Sequence, residues 1–208
     1  MSKTLAVEQY VEIGQVPVKK FIGGKCDPSR QMTDLVTAFV TEQKRKFNAT
    51  IADTFELKEG EFTKFEFFYI PEKAFVVENN PEVAFEMPCD VDIIYVKQKS
   101  VVYFSTHFAF RVKPGCFTSG TVRAFGGKDH QLEEIYFAKI TSVQASHEEN
   151  VYKVINDGCF GTESNITVRR DGFTIRSGEN FKIWASANLA QELAQARKMI
   201  NTRVAEYN

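Results

Sequence analysis

Apolar and polar positions alternate with a period of two through most of residues 60–185. "TKFEFFYI", "KAFVVEN", "VDIIYVK", "SVVYFSTHFAFRV", "GTVRAF", "EIYFAKITSV", "VYKVIN", "NITVRR", "FTIRS" and "FKIWA" are rich in β-branched and aromatic residues, and Gly, Pro, Asn or Lys turns separate them. That many short strands in succession predict antiparallel sheet, a sandwich or barrel of about ten strands, rather than alternating βαβ units.

Two segments follow the helical period instead. Met32, Leu35, Val36, Phe39 and Val40 form a stripe over about 28–46, with Asp27 or Ser29 as cap and the basic run Lys44-Arg45-Lys46 at the dipole's negative end. Leu189, Leu193, Ala196, Ile200, Val204 and Tyr207 form a second stripe over about 188–207. That helix has one apolar face, which marks it as a lid, a dimer contact or both. The expected fold class is therefore α+β, mostly antiparallel β, with an N-terminal helix and a C-terminal amphipathic helix. No low-complexity linker interrupts the chain, so residues 1–208 read as a single β-rich domain.

Alternation also sorts faces. A turn at Gln98-Lys99 sets Tyr95 against Val102 and Ile93 against Phe104, on a core side that continues through Phe108, Phe110 and Val112. The opposite side begins apolar at Ile94 and Tyr103 and becomes polar at Asp92, Ser105, His107 and Arg111. Asp171-Gly172 between two alternating runs predicts a type I′ hairpin, because both central residues of that turn need positive φ. Pairing through this turn places Arg169 and Arg176 diagonally on one face as an anion clamp, while Arg170 shares the other face with Phe173. "FGGKDHQ" at 125–131 reads as another hairpin turn.

Composition narrows the function. The chain has 26 Lys plus Arg against 27 Asp plus Glu, so its surface as a whole is no nucleic-acid magnet and only a local patch could serve. Charge is uneven along the chain: residues 56–92 hold ten acidic residues and three lysines, residues 166–203 seven basic and three acidic. The 19 Phe belong with thick β cores. The N-terminal stretch has no apolar signal core, so Cys26, Cys89, Cys116 and Cys159 are expected as reduced thiols in a cytoplasmic protein, and no apolar run is long enough for a membrane.

Catalytic motifs are missing. Ser105, His107 and Asp92 share a face, but residues two apart on a strand lie about 7 Å apart, with no nucleophile turn or oxyanion hole nearby. Gly23-Gly24-Lys25 before the first helix lacks P-loop spacing. The three histidines have no metal-ligand spacing, so no metal or cofactor is expected and the reading leans away from an enzyme. The leading expectation is a non-enzymatic binding protein. It would offer a basic and aromatic β surface to RNA, single-stranded DNA or a nucleotide, with Arg169, Arg176, Arg111, Arg123 and His107 as polar contacts and Tyr103 or Phe173 for stacking. The alternative is an interaction module, a homo-oligomer or a grip on a protein partner, built from the Phe-rich sheet and the C-terminal helix.

Overall fold

The alternating segments pair into two antiparallel sheets. A computed structural model describes residues 9–19, 24–78, 80–115, 118–156 and 161–207. Among them run β1 (Tyr10–Pro17), α1 (Ser29–Thr54), β2 (Thr63–Tyr69), β3 (Phe75–Val76), β4 (Phe85–Val96), β5 (Ser100–Pro114), β6 (Ser119–Tyr136), β7 (Ser142–Ile155), β8 (Glu163–Ser177), β9 (Glu179–Ala185) and α2 (Ala190–Tyr207). The large sheet has the order β1-β6-β5-β4-β2, with β3 also on β4; the small sheet is β7-β8-β9.

Two cores explain the phenylalanines. On one face of the large sheet, Met32, Val36, Val40 and Ile51 of α1 pack on Met87, Val91, Ile93, Phe104, Phe108 and Phe110. On the other face, Phe65, Phe67, Ile94 and Tyr103 meet Phe173, Ile175, Phe181 and Ile183 of the small sheet and Ala196 and Ile200 of α2. Each fully buried Phe contributes about 2–3 kcal/mol of apolar burial, and both cores bury several. The apolar stripe of α2 is thus spent inside its own chain. Among the described residues no helix is long and apolar enough to cross a membrane.

Fold class and the face sorting of β4 and β5 agree with the sequence reading: Tyr95 pairs with Val102 and Ile93 with Phe104. Three expectations are corrected. First, α1 runs on to Thr54, past the basic run, and its last turn carries no basic residue. Second, residues 125–131 make no turn. β6 continues through them, absorbing extra residues as a bulge opposite Thr106 and Phe108. Third, Asp171-Gly172 is no turn either. β8 passes straight through it, Gly172 lying between Ser146 and Trp184, and the chain reverses at Gly178, φ 78°.

What Gly172 supplies is closeness. A Cβ there would lie 2.0 Å from the Ile183 carbonyl oxygen and 2.7 Å from the Trp184 ring. Gly172→Ala is therefore expected to cost about 2 kcal/mol by forcing β8 and β9 apart, measurable by urea unfolding. An unchanged midpoint would show that the strands yield without strain.

Candidate functional site

The small sheet and α2 cover only part of the large sheet's second face. Beyond them the face is open among the described residues, and the strand registers write its rows. One row crosses four strands as Glu12, Arg123, Arg111, Glu86. The next reads Tyr10, Phe125, Ala109, Pro88. A third begins His107, Asp90. An apolar row thus lies between two charged ones.

Arg111 and Arg123 sit directly opposite each other, with Cβ atoms about 5 Å apart. Like charges so placed repel, and the surroundings hold them. Glu86 accepts from Arg111 Nε at 2.8 Å, and Glu12 accepts from Arg123 at 3.1 and 3.3 Å. Each guanidinium also lies over a ring, Arg111 over Phe125 at 4.9 Å and Arg123 over Tyr10 at 4.1 Å. Tyr10 is 40% exposed.

Where the small sheet begins to cover this face, Arg170 reaches across from β8. It donates to Asp90 at 2.6 Å and to Glu148, and it lies over the Trp184 ring at 4.6 Å. His107 meets the same Asp90 at 2.8 Å. Two residues further along β4, Asp92 is fully buried. Its Oδ2 accepts the Trp184 N–H at 2.8 Å, while Oδ1 has no hydrogen-bond partner of good geometry among the described residues. Burial pushes the Asp92 carboxyl up to about 7, against the easing effects of Ser105, the Trp184 N–H and Arg170.

Of the residues singled out in the sequence, Arg111, Arg123 and His107 share this open face. Tyr103 and Phe173 do not reach solvent: both belong to the core between the sheets, Tyr103 donating its hydroxyl to the Lys182 carbonyl at 2.8 Å, so neither can stack a ligand ring. Arg169 and Arg176 form no clamp. They lie on one strand at an odd separation, hence on opposite faces, and about 23 Å apart. Arg169 instead pairs with Glu149 on β7.

Tyr10, Glu12, Phe125, Glu86 and Asp90 were missed. "YVEIGQV" does alternate, which was the available signal for β1. Among the described residues no cluster of three or more His, Cys, Asp or Glu could hold a metal. Cys26 and Cys89 are free thiols, and burial raises that of Cys89 well above its ordinary value. Cys116, Cys159 and Gly23 lie outside the described residues. Neither a protein-family model, nor a curated protein, nor a solved structure matches the chain.

Proposed function

We propose that the open face binds an anionic ligand in which a phosphate stands beside a flat ring, the repeating unit of single-stranded nucleic acid and the whole of a nucleotide. The opposed pair Arg111 and Arg123 carries this reading. A phosphate between them replaces mutual repulsion with shared charge-assisted hydrogen bonds, and guanidinium geometry suits it. The row next to them supplies the ring contact, with Tyr10 at its accessible end.

The flanking glutamates set the terms. The Arg123 guanidinium has five N–H donors, more than the single Glu12 oxygen that it meets can accept. Arg123 is largely buried, but Glu12 is well exposed and screened by water, so a phosphate can displace the carboxylate from the guanidinium. The glutamates also argue against stacking a second copy on this face. The row Glu-Arg-Arg-Glu is palindromic, so a two-fold contact in register sets like charge against like.

The test is fluorescence anisotropy with a labelled oligothymidylate at rising salt. Arg111→Ala with Arg123→Ala is expected to weaken binding about tenfold or more and to flatten the slope of log affinity against log salt by about two. Arg169→Ala, remote from the face, should leave both unchanged. No binding at low salt, or equal binding by the double variant, removes the proposal.

A further inference from the structure

A second open feature lies at the other end of the small sheet, independent of the arginine face. β8 pairs with β7 from Glu163 to Arg176 but with β9 only from Asp171 to Ser177. β9 stops at Ala185, opposite Asp171, and the chain then leaves the sheet. Ser186 fastens it to β2 instead: its N–H donates to the Phe68 carbonyl at 2.9 Å, and its Oγ accepts from the Ile70 N–H at 3.3 Å. Among the described residues, 163–170 of β8 therefore have a strand neighbour on one side alone.

Beside them, where a longer β9 would run, is a groove of about 770 Å³. Phe68, Ile70, Ile166 and Val168 give it an apolar lining, Thr33 of α1 adds a hydroxyl, and Arg169 stands at its edge.

The backbone groups facing this groove follow from the ladder. In antiparallel strands the N–H and C=O of one residue point to the same edge, and successive residues point to opposite edges. The Trp184 and Ser186 N–H groups point away from β8, to Asp92 and Phe68. Ile183 and Ala185 therefore point towards β8, as do their partners Phe173 and Asp171 towards β9. The same parity continues along β8 without a register shift to Arg169, Thr167 and Asn165. Consistently, the even-numbered Arg176 turns its carbonyl the other way, to Thr141 at the β7 side. The backbone N–H and C=O of Asn165, Thr167 and Arg169 thus face the groove, and none has a partner among the described residues.

We propose that this groove takes a β-strand from a protein partner, an extended segment of about five residues. It would pair with Asn165, Thr167 and Arg169 and turn alternate apolar side chains towards Phe68, Ile70 and Val168. Its outer face would carry a carboxylate. Arg169 already faces Glu149 across β7, and a strand added on its other side places a residue directly opposite the same guanidinium. An edge left without strand, proline or covering helix is a template for strand addition, and the apolar wall selects the side chains.

The experiment pans a phage-displayed library of random heptapeptides on the full chain, then follows amide hydrogen exchange with a synthetic copy of the enriched peptide. The expected peptides alternate apolar and polar residues and include Asp or Glu. They should slow exchange at Thr167 and Arg169, which exchange fast in the unbound protein, and leave the already paired Ile166 and Val168 unchanged. Thr167→Pro removes one facing donor without breaking the β7–β8 ladder, as proline at an open edge allows, and should weaken the peptide about tenfold. Arg169→Glu should turn the enriched peptides from acidic to basic, which keeps the test decisive if the proline variant does not fold. Failure to enrich any peptide overturns the proposal, as does protection elsewhere or equal binding to both variants. Protection of the same amides that rises with protein concentration alone assigns the groove to a second copy and overturns it too.

Discussion

Asp92→Asn is expected to stabilise the protein at pH 8 by up to about 4 kcal/mol and to leave it nearly unchanged at pH 4. The carboxyl sits 1% exposed between the two sheets, with one oxygen bonded to the Trp184 N–H and the other without a partner of good geometry among the described residues. Burial holds its protonated form up to about pH 7, whereas in the unfolded chain it ionises near 3.8. Between those values the folded protein keeps a proton that the unfolded chain has released. Stability attached to this group is therefore complete below the unfolded value, declines as pH rises through the window, and stays at its lower level above 7.

Asparagine removes the ionisation but keeps the shape. Its carbonyl oxygen can still accept from Trp184, and its amide nitrogen takes the place of the protonated oxygen. Subtracting the wild-type unfolding free energy from that of the variant cancels every other titrating group, so urea titrations at pH 4, 6 and 8 isolate the effect. A gap that is absent at pH 8, or equal at pH 4 and pH 8, would contradict a buried acid with a raised pKa.

Asp92 also marks what could be read in the chain and what could not. Strand alternation placed it on the side of β4 that turns from apolar to polar, and the register bears this out by pairing it with Ser105. Alternation cannot tell that β9 would arrive over that position and seal it from water. The same limit governs the arginines. Arg111 and Arg123 follow their strands' alternation correctly, but their direct opposition depends on the register of β6 against β5, unbroken from Pro114–Gly120 to Phe108–Gly126, and alternation sorts faces without fixing a register. Arg169 and Arg176 were misplaced because a glycine can answer two needs, positive φ or close approach. Asp171-Gly172 has the composition of a turn, while the requirement at Gly172 comes from Trp184 and Ile183, residues that reach it only through tertiary pairing. Helix stripes were the most legible feature, since Met32, Val36 and Val40, and likewise Ala196 and Ile200, are buried where their spacing predicts.

Arg170→Leu is expected to cost about 3 kcal/mol at pH 7, the low end for opening a buried ion pair, because the arginine side chain retains 25% exposure. The guanidinium bridges three strands of two sheets: Asp90 on β4, Glu148 on β7, and the Trp184 ring on β9. Leucine can replace the packing of the stem but leaves two carboxylates facing each other near the core. Burial alone would raise Glu148, yet the hydrogen bond from Arg170 holds it below the ordinary value. Losing that bond lets Glu148 take up a proton at higher pH. The penalty should therefore shrink towards pH 4, where protonation relieves the unpaired charge. Arg170→Lys should recover only part of the loss, since a point charge cannot serve Asp90 and Glu148 together while lying flat on an indole. The decisive comparison is a double-mutant cycle with Glu148→Gln: coupling of about 1 kcal/mol or more places the bridge among the contacts that hold the small sheet on the large one. Additive losses, or a single-variant cost below that value at pH 7, would mean that the two cores alone keep the sheets together.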